Sequence, residues 1–132
     1  VGLLAVETKN AVKAPPTEKQ FIDIILEEGS ERAAKVFDEI RATDPQYSLF
    51  KEATLNILGY QLIQEGKVKE SLGVFKLIVE AYPQSWNAYD SLGEVYQLNG
   101  DRELAIKNYQ KSLELNPQNT NAVEMLKKLT GK

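Results

Sequence analysis

Apolar positions recur along this chain in a helical rhythm, not in alternation. Leu55, Leu58, Gly59 and Leu62 stand at i, i+3, i+4 and i+7, which sets them on one face of a helix. Related stripes run through Phe21 and Ile24, through Ala33 and Phe37, and through Val123, Leu126 and Leu129. Gly29, Gly66 and Gly100 break the rhythm at turns, and Ser30 and Asp101 follow two of them as expected N-caps. The pattern predicts helices over 17–28, 31–42, 47–65, 68–82, 86–99, 102–115 and 119–130.

The rhythm also repeats on a longer scale. Gly59 maps onto Gly93, Gly66 onto Gly100, Phe75 onto Tyr109 and Pro83 onto Pro117, each at a spacing of 34. Leu55-x2-Leu58-Gly59-x2-Leu62 thereby matches Tyr89-x2-Leu92-Gly93-x2-Tyr96, and Ser71-x3-Phe75 matches Ala105-x3-Tyr109. Upstream, Ala33-x3-Phe37 and Asp44-Pro45 match at a spacing of 38. The four extra residues fall between Pro45 and Gly59 and are read as one added helical turn. A mid-helix glycine costs roughly 1 kcal/mol relative to alanine, so Gly59 and Gly93 imply a neighbouring helix pressing close. Gly73, facing away from Phe75, is read as a tolerated surface glycine, with close approach by a partner as the alternative.

This arrangement resembles the tetratricopeptide repeat, a helix–turn–helix unit. The resemblance covers 14–132, as repeats 14–47, 52–85 and 86–119 and a capping helix over 119–130. It implies an all-α fold, an α-α right-handed superhelix of about three repeats closed by that last helix. The third repeat carries the pattern most fully, whereas the first has Phe21 where the others have glycine. Residues 1–13, which begin at Val1 without methionine, are expected to be a linker or the remnant of a preceding domain.

Composition narrows the chemistry. The chain has no cysteine and no histidine, which removes thiolate nucleophiles, zinc–thiolate sites and the commonest general base. A net charge of −3 argues against a phosphate-dominated nucleic-acid binder. No apolar run approaches the ~20 residues of a membrane span. Ser48-Leu49-Phe50-Lys51 matches the S-x-x-K pattern of serine β-lactamases, and Ser85-Trp86-Asn87 has the look of their S-x-N element, but no K-T-G follows. Helix capping accounts for Ser48. The neighbours Glu27-Glu28 and Asp38-Glu39 point to different sides of a helix and read as solvated faces, and Phe37, Phe75 and Tyr109 recur at equivalent places as core. No catalytic residue, metal or cofactor is expected.

Ligands of this family lie on the concave surface built from the first helix of each pair. Carried over by the offsets, the resemblance places there Glu18, Ile22, Ile25 and Leu26, then Ala53, Asn56, Tyr60 and Ile63, then Asn87, Asp90, Glu94 and Gln97. Phe50 and Ile57 extend the middle stripe, since 50, 53, 57 and 60 share a helical face. The groove should be apolar at its N-terminal end and polar to acidic at its C-terminal end. The cationic clamp by which some members hold chaperone-tail carboxylates falls here on Glu18, Ile22, Ile57, Asn87 and Ser91, which include no cation. The implied function is a protein-interaction module that binds a peptide segment or a neighbouring domain. Ile57→Ala with Tyr60→Ala should weaken docking with helicity intact. The cover over the apolar end stays open between Val1–Val6, a preceding domain of the same chain and a second copy by self-association. It also stays open whether those side chains are simply core between units one and two. Residues 50–130, including Ser85-Trp86-Asn87-Ala88-Tyr89-Asp90-Ser91-Leu92-Gly93-Glu94, also look like the repeat tail of bacterial exported serine hydrolases. That likeness implies an accessory tail on an exported enzyme and confers no activity on these residues.

Overall fold

The computed structural model describes residues 16–44 and 51–132. All regular structure among them is helical: α1 Glu18–Thr43, α2 Glu52–Gln64, α3 Val68–Ala81, α4 Trp86–Leu98, α5 Arg102–Leu115 and α6 Thr120–Thr130. Helix α2 packs on α3, α3 on α4, α4 on α5 and α5 on α6, which builds the expected all-α superhelix.

Two hairpins close in the same way. A Cβ on Gly59 would stand 2.5 Å from the Phe75 ring, and one on Gly93 would stand 3.1 Å from the Tyr109 ring. Each glycine therefore lets an aromatic ring of its own repeat lie against helix backbone. Phe75 and Tyr109 are buried there, as is Phe37 in the first unit, and burying such a ring contributes about 2–3 kcal/mol. Ser71 fills the small-residue position of the second repeat without an orphaned hydroxyl, because its Oγ donates to the Gly59 carbonyl at 2.8 Å.

The first unit departs from expectation. Its two helices form one element, α1, interrupted at Gly29 (φ 90°, ψ 163°). That backbone region is essentially open to glycine alone, so the glycine supplies the break while Ser30 lies within the element. Thr17 closes the N-terminus as a capping box with Gln20. The principal support of α1 is α3. Ile25 sits on Gly73, where an added Cβ would come within 2.2 Å of Ile25 Cγ2. Gly73 is thus no tolerated surface glycine, and its close neighbour belongs to the same chain. Further along α1, Phe37 meets Tyr82 edge-on at 6.2 Å, with the Arg41 guanidinium over both rings.

Other boundaries shift for local reasons. Lys51 has extended backbone as the N-cap of α2, so that helix begins at Glu52 and does not run through from 47. Pro45, Ser48 and Phe50, together with residues 1–13, lie outside the described residues. Asp101 precedes α5 but makes no side-chain cap bond; its carboxylate accepts from the Asn99 side chain instead, at 2.7 Å. Ser85 caps α4 by accepting from the Ala88 amide, which gives the S-x-N-like stretch a structural role. Glu28 pairs with Arg32 and Asp38 with Arg41, both exposed, as expected of solvated faces.

Candidate functional site

The face shared by α2 and α4 is where the largest group of expected binding residues assembles. Tyr60 is its hinge point. Its ring lies edge-on to Phe75 at 5.2 Å, and its hydroxyl stands 2.8 Å from Ser91 Oγ and donates to Glu94 Oε1 at 2.9 Å. Burial pushes the Tyr60 phenol up to about 12; the Ser91 hydrogen bond opposes the rise, and the charges of Glu94 and Asp90 add to it. Tyr60 and Glu94 are the same position in successive repeats, so the bond crosses the repeat boundary.

Beyond this pair, α4 faces α6. Asn119 donates from Nδ2 to Asp90 Oδ1 at 3.0 Å and to Ser112 Oγ at 2.8 Å, while Asn121 Nδ2 reaches both Asp90 oxygens at 3.1 Å. Asn119 is itself the buried N-cap of α6. Asp90 is therefore held by amide donors, with no cation among the described residues paired to it. Gln97 accepts from the Tyr109 hydroxyl at 3.3 Å. The Tyr109 phenol is raised well above its usual range, first by burial and then by Asp90 and Glu94.

At the start of α2 the face is open. Glu52, Ala53, Asn56, Ile57 and Asn87 line a shallow hollow of about 520 Å³. Ile57 is 60% exposed, the most exposed of the large apolar side chains among the described residues. Glu52 accepts a hydrogen bond from the hydroxyl of Ser85, the N-cap of α4.

The expected site residues thus divide among several places. Ala53, Ile57 and Asn87 share the hollow, Tyr60 and Glu94 are bonded to each other, and Asp90 belongs to a separate group with Asn119 and Asn121. Ile63 is half-buried against the core. Ile22 and Leu26 lie in a separate cleft of about 490 Å³, against Leu58, Gln61 and Leu62 on another side of α2. Ile25 is buried under Gly73 and offers no surface. Phe50 lies outside the described residues. Glu52, Asn119 and Asn121 join the face without having been expected there. The one available signal was the polar run Asn116-Pro117-Gln118-Asn119-Thr120-Asn121, whose asparagines suit a helix start.

Among the described residues no group of acidic side chains is arranged to hold a metal. No helix there is long and apolar enough to cross a membrane.

Comparison with known proteins agrees with this architecture. Residues 87–119 match the family model of the tetratricopeptide repeat. Among solved structures, a mutant of MamA superposes with a TM-score of 0.62 at 18% identity, over 83% of this chain and 77% of that one. The first tetratricopeptide repeat domain of Spaghetti (RPAP3), bound to the HSP90 peptide SRMEEVD, gives 0.59 at 18% identity, over 86% and 87%. A tetratricopeptide repeat protein from Parabacteroides merdae gives 0.59 at 20% identity, over 84% of this chain and 43% of that one. At such identities the likeness is one of fold, and it defines an all-α superhelix of the tetratricopeptide-repeat type. No curated protein matches the chain.

Proposed function

We propose that the chain is a non-catalytic interaction module that docks a peptide segment or a neighbouring domain on the α2–α4 face. The observation that carries this reading is Ile57: a large aliphatic side chain left 60% exposed in a hollow, on a helix whose other large apolar residues are used in packing. Repeat folds of this type generally serve protein–protein interaction, and the Spaghetti domain holds a peptide. That peptide contains two glutamates and an aspartate. The face around Ile57 offers it Glu52, Asp90 and Glu94, and no described residue lining the hollow is a cation, so an acidic tail of that kind is not the expected occupant.

The test is Ile57→Ala, read by affinity for peptides selected against the whole chain. A roughly tenfold loss with unchanged circular dichroism is expected; unaltered affinity would sink the assignment of this face. Tyr60→Ala is unsuited as its companion, because Tyr60 also packs on Phe75 and bonds to α4. The resemblance to exported hydrolase tails supports a second, narrower reading, in which the occupant is a catalytic domain of the same polypeptide. Blotting the native protein for a band far above 14.8 kDa tests that version.

A further inference from the structure

The docking reading leaves the chemistry of the occupant unspecified, and the hydrogen-bond pattern around Ile57 narrows it. Two carboxylates bracket the exposed side chain. Glu52 lies at the rim of the hollow, at the start of α2, and Glu94 stands beside Tyr60, one turn past Ile57. Each is only half satisfied. Glu52 takes the Ser85 hydroxyl on one oxygen, Glu94 takes the Tyr60 hydroxyl on one oxygen, and the other oxygen of each has no donor among the described residues. Asp90 behind them is held by neutral amides. Among the described residues, ion pairs engage Asp23, Glu28, Asp38, Glu65 and Glu114, and none engages Glu52, Asp90 or Glu94. Neutral donors orient these carboxylates without cancelling their charge, so the field over the apolar patch is negative.

We infer, resting on the docking reading above, that the occupant is a peptide segment with cationic residues on both sides of an apolar one. The apolar residue covers Ile57 and Ala53, and lysine or arginine completes the free oxygens of Glu52 and Glu94. The eight steps from Glu52 to Tyr60 rise by about 12 Å along the helix. An extended segment covers that distance in about four residues. The motif is therefore a cation, a spacer, an apolar residue, a spacer and a second cation.

The experiment selects binders to the whole chain from a random twelve-residue peptide display library at low salt. The best peptide is then titrated against variants. The expected pool is enriched in lysine and arginine about two places from an apolar residue. Two exposed ion pairs at about 0.5 kcal/mol each imply about a fivefold loss of affinity in Glu52→Gln with Glu94→Gln. Glutamine keeps the oxygen that accepts from Ser85 or Tyr60, so the fold is spared. Glu103→Gln with Glu124→Gln carries the same change in net charge at remote exposed sites and should leave affinity unchanged. A pool without basic enrichment, an empty pool, or equal losses in the two double variants overturns the inference. An acidic or neutral pool that still loses tenfold with Ile57→Ala overturns the charge inference and leaves docking on this face standing. A basic pool indifferent to Ile57→Ala overturns the docking reading itself.

Discussion

At the residue scale, three glycines inside helices turn out to have different neighbours, and the differences are measurable. A Cβ at position 59 would meet the Phe75 ring at 2.5 Å, whereas one at 93 would meet the face of Tyr109 at 3.1 Å. Alanine gains about 1 kcal/mol of helix propensity at either site, and overpacking costs about 1–3 kcal/mol. Gly93→Ala should therefore stay within about 1 kcal/mol of the parent, while Gly59→Ala is destabilised by about 2 kcal/mol, as read by urea unfolding. Gly73 is governed by Ile25, whose Cγ2 stands where a Cβ would go. Gly73→Ala should destabilise the parent yet be neutral or stabilising by up to about 1 kcal/mol in an Ile25→Ala background, since only the propensity gain then remains. A cycle without that reversal would remove Ile25 as the reason for the glycine. Gly59 and Gly93 were legible because the repeat pairs each with an aromatic at a fixed spacing. Gly73 was not, because its neighbour comes from α1, where the repeat is degenerate and no offset points to it.

At the scale of elements, α2 and α4 are joined through Tyr60, Ser91 and Glu94, and that junction should be sensitive to alkali. Below pH 10 the native and unfolded chains both hold the phenolic proton, so Tyr60 adds no slope. Between pH 10 and about 12 the unfolded chain sheds a proton that the native state keeps. Stability contributed by the protonated phenol is lost across that window. Tyr60→Phe should flatten the decline of the melting temperature there while lowering stability near neutrality by about 1 kcal/mol, through the lost hydrogen bonds. An unchanged alkaline slope in that variant would contradict the burial of the Tyr60 hydroxyl between α2 and α4. The helices themselves were largely legible: α3 through α6 lie within a residue or two of their expected bounds, because glycines, caps and the apolar stripe all agree there. The stripe also continued through Lys51, but periodicity does not detect a single extended residue, and this one starts α2 at Glu52.

For the whole molecule, the end of the stack is held by α6. Its Met125, Leu126 and Leu129 pack against the core, Ala122 is buried, and Asn119 ties it to Asp90 and Ser112. Removing residues 119–132 would bare apolar surface on α5 and strip Asp90 of its Asn119 and Asn121 donors. The shortened chain should melt well below the parent and show concentration-dependent mass by light scattering; a monodisperse, equally stable product would mean that α6 is ornamental. The closing helix was legible from Val123, Leu126 and Leu129. Of the candidate site, Ile57 and its neighbours on α2 were legible because the repeat fixes which side of that helix faces α4. Ile22, Ile25 and Leu26 were carried over by the same offset, but α1 lies along α3, which buries Ile25 and turns the other two into a different cleft.

The ring-on-glycine locks have a mechanical consequence. Phe75 and Gly59 belong to one unit, as do Tyr109 and Gly93, so neither lock spans the joint between units. Across the α2–α4 joint the named ties are polar: Ser85 to Glu52 and Tyr60 to Ser91 and Glu94. That side of the joint can therefore loosen by degrees, as hydroxyls trade carboxylates for water, while α3 and α4 keep their apolar contact on the other side. The face around Ile57 is thus bordered by exchangeable hydrogen bonds, and its width can adjust to an occupant without disturbing either ring-on-glycine lock.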